Sequence, residues 1–600
     1  MKIKIKNIIF SAALASVAFG VTSCSLEEEN PGGFTMEDLA ESSVDSYRTL
    51  VNNCYFGMER AFFCSKNYME LTEGDTDLWT YRANISSSYT EWFWYFAGGA
   101  PKLTYTNDTW DNIYDGIGSC NLAISLADKA PFTSEEERNA AVAEARFMRA
   151  VYYFNAVEQF GAVTMITEPT GTSDYAPTRT EPMTIYREII IPDLEFAAQW
   201  LERGDDATTT IPTKKAALGM LAKACLQTYE YGTTEYLQQA LETAQTLIAD
   251  CEGGGSQYGA YMYPTFEEVF ADANNWENKE ALWKHRFYVG DDGHGCSNGN
   301  YKTNQNNEKF LCCLSRFGAR VDNQASRITW EGSIEGIFMP TQHLLSLFVQ
   351  DDGTLDPRFH KSFSTQWNAN QAFTWDNDSK DNYDKDASVV GKQLAVGDLA
   401  IKIVMPQDPD YAQLVAQKAS LPYLLIDYND VYDDNNRNVR MTLNGKENLF
   451  RYFYPSLNKH NSGKFYVVSE SNRRNANLNA TFMMRMSEMY LIAAEADIYL
   501  NGGANAAGYI NKVRTRAGAK LISGTPTVRD ILDERARELC GEYCRFYDLK
   551  RTGMLKDASY LNETHPDLGQ YFKPEYALRP IPSQFTDVIS NGAEYQNPGY

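Results

Sequence analysis

The first third of the chain places apolar residues with the period of an α-helix. Thr133 and Ser134 are each followed three residues later by a glutamate, which is the pattern of a helix-capping box. The helix predicted from there to about Phe160 has two apolar stripes, which contain Phe147, Ala150, Val151, Phe154 and Val157 on one side and Ala141, Ala145, Met148, Tyr152 and Ala156 on the other. A helix with two apolar faces packs on both sides, so the pattern predicts an array of helices, and Gly161 ends this one.

Similar helical patterns recur on either side of this helix. The apolar positions predict one helix over 214–229 and a partner over 237–248, with Gly232 between them. Upstream, the start of another scaffold helix is predicted around Trp110, Asp111, Tyr114 and Asn121. Helices that follow one another across short turns indicate a mainly α-helical scaffold.

The C-terminal part repeats the arrangement. A helix is predicted from Phe482 to Leu500 and a second from Ala506 to Ala517, with glycines following each as stop signals. The segment from Arg485 to Gly518 has the 34-residue length of a tetratricopeptide-type helix pair, although the consensus of that repeat is poorly met. A third helix is predicted to begin near Thr527 and Asp530, with one side formed by Ile531, Arg535, Leu539 and Tyr543.

Between about residues 252 and 480 the helical periodicity is absent. Glycine-rich and Asp/Asn-rich stretches interrupt short apolar runs, and aromatic residues occur without a period at Tyr258, Tyr261, Tyr263, Trp276, Trp283, Tyr288, Tyr301, Trp330, Trp367 and Trp375. Long irregular segments inside a compact protein are usually functional. We therefore predict a large loop-rich binding region inserted into the helical scaffold.

The N-terminus has the layout of a secretory signal. Three lysines precede a mostly apolar run from Ile8 to Val21, which is too short to span a bilayer. The sequence Val21-Thr22-Ser23-Cys24 resembles a bacterial lipoprotein box, so we expect Cys24 to be acylated and to anchor the protein to one leaflet of a membrane. The acidic run Glu27 to Glu29 resembles a surface-export signal of Bacteroidetes lipoproteins and otherwise acts as a solvated tether.

The charge balance excludes two broad classes of partner. The chain has 55 Lys plus Arg against 79 Asp plus Glu, a formal charge of −24. Nucleic acids and anionic membrane surfaces are bound by clustered cations, so neither is expected as a general partner. With 38 tyrosines the chain is rich in side chains that are both apolar and hydrogen-bonding, although most of them must pack between helices.

The cysteines and histidines give no sign of a catalytic or metal site. Apart from Cys24, ten cysteines remain, with no CxxC pair and no zinc-finger spacing, and most lie in apolar helical patterns that indicate buried small residues. The six histidines are scattered and show neither a triad nor a metal signature. No cofactor is predicted. A structural calcium ion at the loop from Asp427 to Asn438 stays open as an alternative to a solvated loop, although the order of ligands in an EF-hand is not met.

Five stretches together resemble one family. They match segments of the SusD/RagB family in the family's order, and they are Glu144–Ala150 with Tyr153, Phe154 and Phe160–Val163; Met484–Ala496; Asn511–Gly518; Glu534–Glu542 with Arg545–Gly553; and the terminal pieces Arg579–Pro582 and Gln596–Tyr600. These segments extend over nearly the whole mature chain, behind the lipoprotein signal.

The resemblance implies a surface-exposed, lipid-anchored nutrient-binding protein of the Bacteroidetes outer membrane. It implies about four tetratricopeptide-like helix pairs with an inserted ligand-binding region, and a SusC-like TonB-dependent barrel transporter as the partner that receives oligosaccharides or, in some members, peptides. It implies no enzymatic activity. The matched motifs belong to the scaffold, so the resemblance assigns structural or interface roles to Arg149, Glu488, Arg514, Arg516 and Asp548.

A glycan site needs flat aromatic rings beside planar polar groups, because sugars have apolar C–H faces and hydroxyl edges. The stretch from Trp79 to Tyr95 has this composition at the place where the family's loop contributes to binding, and its candidate ligand residues are Trp79, Tyr81, Arg82, Asn84, Trp92 and Trp94. The alternation of Trp92, Phe93 and Trp94 is also typical of a short strand, which would place one or two of them in the core. The inserted region adds Tyr288, Tyr301 and Trp330 as further candidates.

The expected organisation is therefore a signal peptide over 1–23, a lipidated tether over 24–34 and an N-terminal scaffold over 35–251 that includes an aromatic loop at 75–110. The ligand-binding region extends over 252–480 and the C-terminal scaffold over 481–600. Three other functions stay open: capture of peptides, hydrolysis of glycosides by a pair of carboxylates, and an adhesion or scaffold role without a soluble ligand.

Overall fold

The computed structural model describes residues 33–58, 62, 67–74, 76–80, 104–169, 175–204, 209–285, 339–369, 372–433, 438–459, 465–469, 474–477 and 479–600. Cys24 and the acidic run that follows it lie outside these ranges, so lipidation stays a prediction. In the part of the chain that is described, no helix is both long enough and apolar enough to cross a membrane.

The scaffold consists of helices that pack in chain order. Eight of them form four consecutive pairs in the described residues: α1 Val44–Met58 with α2 Thr104–Ser125, α3 Glu135–Phe160 with α4 Ile191–Trp200, α5 Lys214–Gln227 with α6 Leu237–Glu252, and α7 Met486–Asn501 with α8 Ala506–Ala517. Each helix contacts the next one in this series, including α6 and α7, which are separated by the whole inserted region. The prediction of a mainly α-helical, tetratricopeptide-like scaffold is confirmed.

The helix ends follow the predicted signals. The Ser134 hydroxyl accepts a hydrogen bond from the Glu137 N–H at 3.1 Å, and α3 ends at Gly161 with φ +74°. Helices α7 and α8 end at Gly502 and Gly518, both in the left-handed conformation that glycine adopts without steric cost.

Two more helices follow the fourth pair. They are α9 Val528–Leu539 and α10 Arg545–Arg551. Thr527 caps α9 through a capping box with Asp530, as the sequence predicts. The predicted helix does not reach Tyr543, because α9 ends at Leu539 and Tyr543 has a positive φ of 63° in the turn before α10.

The strands are short and join distant parts of the chain. The ones used below are β1 Trp79–Thr80, β2 Ala281–His285, β3 Met339–Pro340, β4 Gln366–Asn368, β5 Leu399–Val404, β6 Leu424–Asp427 and β7 Thr481–Arg485. Strand β2 pairs with β7 in antiparallel register, with Lys284 opposite Phe482. The prediction that the helix of the fourth pair begins at Phe482 is therefore wrong, because this residue belongs to a strand that returns the chain from the inserted region to the scaffold.

The inserted region contains a small three-stranded sheet whose buried residues join the hydrophobic core of the scaffold. Strand β5 pairs antiparallel with β4 and parallel with β6, and the short helix Tyr411–Gln417 connects β5 to β6. Trp367 and Trp375 are buried here, and the Trp375 indole N–H donates to the Pro422 carbonyl oxygen. Part of the aromatic content of the inserted region therefore serves packing.

Two carboxylates one turn apart on α9 are fully buried. Glu534 and Glu538 both have an exposed fraction of 0%. Glu538 accepts hydrogen bonds from Arg358 at 3.0 Å, from Arg485 at 2.6 Å and from Arg516. These arginines come from the inserted region, the end of β7 and the last turn of α8, so three separate segments meet at one carboxylate.

The charge of Glu538 is held by its neighbours. Burial raises the pKa of this carboxyl, but the guanidinium groups of Arg516, Arg485 and Arg358 outweigh it and hold the pKa well below its ordinary value. A buried charge is tolerated only when it is paired and hydrogen-bonded. The inserted region, α8 and α9 must therefore come together for any of these charges to be buried.

The residues that the resemblance assigns to the scaffold lie in internal ion pairs of the same kind. Arg149 pairs with Asp193, Arg514 with Glu534, Arg516 with Glu280, and both Glu488 and Asp548 with Arg535, at distances of 2.6 to 3.1 Å. Their place inside the protein is what a structural role requires.

Replacing the node of this network tests its importance. Glu538→Gln leaves three buried guanidinium groups without a shared carboxylate, so we expect it to lower the free energy of unfolding by about 3–5 kcal/mol. Denaturant unfolding followed by circular dichroism measures the change. The matched control is Glu235→Gln, which removes the carboxylate from an exposed pair with Arg187 and should have little effect. Equal effects of the two substitutions would contradict the prediction.

Candidate functional site

Most of the predicted ligand-binding residues lie outside the described residues. They are Tyr81, Arg82, Asn84, Trp92, Trp94, Tyr288, Tyr301 and Trp330. Trp79 is described, and its exposed fraction is 0%. Its indole N–H donates to Glu73 Oε2 at 2.8 Å. An enclosed ring has no face to offer a sugar, so the prediction that Trp79 contacts ligand is corrected to a structural role.

Strands β1 and β3 bring the two predicted binding segments to the same place. Thr80 pairs with Met339 and Trp79 pairs with Pro340 in antiparallel register. Next to this ladder, the Thr341 N–H donates to the Leu78 carbonyl at 2.9 Å. Because the two strands are antiparallel, the chain leaves β1 towards residue 81 at the same end at which it enters β3 from residue 338. The aromatic loop and the aromatic part of the inserted region are thus attached side by side.

A buried ion pair lies beneath this ladder. The Arg545 guanidinium donates to both oxygens of Asp77, at 2.8 and 2.6 Å, and the Tyr560 hydroxyl donates to Asp77 Oδ2 at 2.6 Å. The Asp77 carbonyl accepts from the Thr341 hydroxyl at 2.7 Å, which ties the segment just before β1 to the residue after β3. Burial raises the pKa of Asp77, but Arg545 outweighs it and holds the pKa well below its ordinary value.

The Glu73 carboxylate holds the indole of Trp79 in place. Besides the Trp79 N–H, its carboxylate accepts backbone N–H groups from Gly541 at 3.3 Å and Cys544 at 3.2 Å. Burial raises the pKa of Glu73 to about 7, and these hydrogen bonds oppose that shift. The turn between α9 and α10 therefore holds the start of the aromatic loop.

A third buried group beside β1 is His565, which interacts with the Trp79 backbone. Its Nδ1 accepts the Leu568 N–H at 3.2 Å, at the start of the short helix Pro566–Gly569. Burial lowers the pKa of His565 to about 4, against smaller opposing effects of the Trp79 backbone and of the Asp77 charge. The imidazole is therefore neutral at neutral pH.

The described side chains around β1 and β3 support the ladder. They are buried and hydrogen-bonded. Across all the described residues, no group of three or more His, Cys, Asp or Glu side chains could hold a metal ion.

Of the cysteines, Cys54, Cys120, Cys225, Cys540 and Cys544 are free and buried, and Cys251 is free and partly buried. Asp427 caps the short helix Tyr428–Val431, and residues 434–437 of the proposed calcium loop lie outside the described part.

Sequence reasoning did not find the support beneath the ladder. Arg545 lies in a matched scaffold motif, but its partner Asp77 is 468 residues away and is marked by no motif. The one available signal was the density of acids and arginines in α9 and α10, which is unusual for helices that are buried.

Removing the buried indole tests its reassigned role. We expect Trp79→Ala to lower the free energy of unfolding by about 3–5 kcal/mol, because it opens a cavity and removes a hydrogen bond from Glu73. Thermal and denaturant melts measure the loss. Trp276→Ala is the matched control, since Trp276 is 42% exposed and should cost far less. If Trp79→Ala unfolds at the same temperature and denaturant concentration as the wild type, the structural role of Trp79 is wrong and its role as a ligand contact stands again.

Acidification tests the state of His565. Because the folded-state pKa of about 4 lies below the unfolded value near 6.5, the unfolded chain takes up the proton first and stability falls as the pH drops. From pH 7.5 to pH 5 this group should cost about 2 kcal/mol. His565→Asn keeps an acceptor at the N-cap and should remove that part of the pH dependence. Parallel slopes for the two proteins in denaturant unfolding would contradict the assignment.

Comparison with known proteins supports the same fold and gives the family. The model described as "SusD family" matches residues 279–600, more than half of the chain, and the model described as "Starch-binding associating with outer membrane" matches residues 28–226. SusD-like protein P25 of Formosa agariphila is 26% identical over 621 aligned residues, covering 100% of both chains. Starch-binding protein SusD of Bacteroides thetaiotaomicron is 37% identical over 120 residues, which are 20% of this chain and 21% of that protein.

Solved structures agree in fold. A laminarin-binding SusD-like protein superposes with a TM-score of 0.60 at 22% identity, covering 93% of this chain and 100% of that one. A SusD homolog from Bacteroides thetaiotaomicron superposes with a TM-score of 0.65 at 18% identity, covering 94% and 98%. The two family models together with the shared helical scaffold lead to one conclusion: the chain belongs to the SusD family.

Proposed function

We propose that this protein captures oligosaccharides at the cell surface and delivers them to a SusC-like TonB-dependent transporter of the outer membrane. The observation that supports the proposal most directly is the β1–β3 ladder, which attaches the two aromatic-rich segments at one point of the scaffold. Segments that begin side by side on rigid elements can contribute to a single site. Relatives named for binding starch and laminarin point to a glycan as the ligand.

The predicted lipid anchor fits this role. Acylation of Cys24 would hold the protein at the outer membrane, and the acidic tether would leave the helical scaffold free in solvent. We propose a surface position and a binding role without catalysis. The scaffold described here supplies a rigid frame, and the ligand is held by Tyr81, Arg82, Asn84, Trp92 and Trp94 with Tyr288, Tyr301 and Trp330.

Calorimetry of the mature protein, residues 24–600 in detergent, tests the proposal. We expect heat of binding with at least one glycan in a panel that includes maltohexaose, laminarihexaose, and plant, host and fungal oligosaccharides. Because each aromatic platform contributes about 0.5–1.5 kcal/mol, Trp92→Ala and Trp94→Ala should each weaken binding up to about tenfold. The matched control Trp276→Ala removes an exposed indole elsewhere and should bind as the wild type does.

Other results would replace the proposal. Binding to a peptide panel with no binding to saccharides would favour peptide capture. Shortened products released from a bound oligosaccharide would show a glycoside hydrolase. No binding to either panel would leave an adhesion or scaffold role.

A further inference from the structure

A cavity lies where the start of α5 meets the loop after α6 and strand β2. None of the residues of the β1–β3 ladder lines it. Its volume is about 380 Å³. The cations in its wall are Arg203, Lys215, Lys279 and Lys284, and the described lining includes no Asp or Glu. In a chain with a formal charge of −24, a wall of this composition is an exception.

The N-terminus of α5 opens into this cavity with unused donors. Thr213 is the N-cap residue, but its side chain makes no capping hydrogen bond. Its hydroxyl is buried, with the residue 8% exposed, and has no hydrogen-bond partner. The N–H groups of Lys215 and Ala216 donate to no described residue, whereas the Lys214 N–H donates to the Glu202 carbonyl. Free amide groups and the helix dipole together make such a 14-residue helix start a site for an anion.

Lys215 adds a charge that the described residues do not neutralise. Its ammonium makes two long contacts, to the Gly259 carbonyl at 3.4 Å and the Lys279 carbonyl at 3.3 Å. No described carboxylate lies within ion-pair distance. Burial lowers the pKa of Lys215 to about 8, against a weaker opposing effect of Asp250.

Asp250 is not available to pair with this ammonium. Both of its oxygens already accept backbone N–H groups, from Gln257, Tyr258 and Ala260 at 2.7 to 3.0 Å. Those hydrogen bonds shape the loop that forms one wall of the cavity. Lys215 therefore lines the cavity without an ion-pair partner among the described residues.

An aromatic ring stands beside these donors. Tyr261 lines the cavity, is 38% exposed, and lies with its ring 5.9 Å from the Lys279 ammonium. A partly exposed ring next to a positive, donor-rich wall matches a sugar that has an apolar face and an anionic substituent.

We propose that this cavity binds the anionic substituent, a carboxylate or a sulfate ester, of an acidic saccharide. The anion accepts hydrogen bonds from the Thr213 hydroxyl and the Lys215 amide, the Lys215 ammonium neutralises it, and the sugar ring packs on Tyr261. The inference rests on the proposed glycan function for the nature of the ligand, and it assigns that ligand a second point of contact. A neutral ligand would leave the ammonium of Lys215 without an ion-pair partner, and a cation would be repelled by the four cationic side chains of the wall.

Calorimetry with matched ligands tests the charge. The mature protein is titrated with trigalacturonate, with the methyl ester of the same trisaccharide, and with a sulfated galactan tetrasaccharide beside its desulfated form. We expect the acidic form of one pair to bind at least tenfold more tightly than its neutral form, and its affinity to fall as the NaCl concentration rises, because salt screens the charges. The two pairs distinguish a carboxylate from a sulfate ester.

Three substitutions test whether the acidic ligand binds in this cavity. Lys215→Gln and Thr213→Val should each weaken binding of the acidic ligand by about tenfold and leave the thermal melt unchanged, since neither side chain makes an ion pair or a side-chain hydrogen bond to another side chain. Lys214→Gln is the matched control, because Lys214 is the adjacent lysine and does not line the cavity. Residues 205–208 contain Asp205 and Asp206, lie outside the described part, and stay unchanged in every protein.

Three outcomes would overturn the inference. The first is equal affinity for the acidic and the neutral form of each pair. The second is tighter binding of an acidic form that neither Lys215→Gln nor Thr213→Val weakens. The third is a loss of affinity in Lys214→Gln as large as in Lys215→Gln. Each of them leaves the proposed function intact as long as a neutral glycan still binds. Failure of every saccharide to bind would instead overturn the proposed function itself.

Discussion

Pairing of buried charges is the constraint on which the closure of this structure depends. Helix α9 contains Glu534 and Glu538, which would be costly in a core if they were left alone. They are tolerated because Arg358, Arg485 and Arg516 reach them from three other segments. The fourth helix pair can therefore dock only when the inserted region has folded back against it, and the network links the two halves of the scaffold.

The same constraint positions the candidate binding segments. Asp77 and Arg545 pair across 468 residues, and the ladder of β1 with β3 rests on that pair. Glu73 accepts the Trp79 indole N–H and is held in turn by the backbone of the turn after α9. His565 supports the Trp79 backbone from the short C-terminal helices. A rigid, buried foundation lets the segments on either side of it vary in sequence, as ligand-binding loops do, without loss of the fold.

The cavity at α5 departs from this pattern. Elsewhere in the described core, cations such as Arg149 and Arg545 meet carboxylates at 2.6 to 3.0 Å. At the cavity Thr213, whose buried hydroxyl has no hydrogen-bond partner, and Lys215 line a space without an acid in its described lining. Lys385 is another lysine that donates only to backbone carbonyls, but at α5 such an ammonium lies beside a buried hydroxyl that has no hydrogen-bond partner.

The sequence by itself determined most of the scaffold helices, several of their ends and the family. Periodicity and capping signals are local, so Ser134, Gly161, Gly502 and Gly518 could be identified without a fold. What only the tertiary structure decided depends on contacts between distant residues: Phe482 pairs with β2 in a strand, and Trp79 is buried against Glu73. No local pattern shows whether an aromatic ring faces solvent or core, because burial depends on which remote segment packs against it.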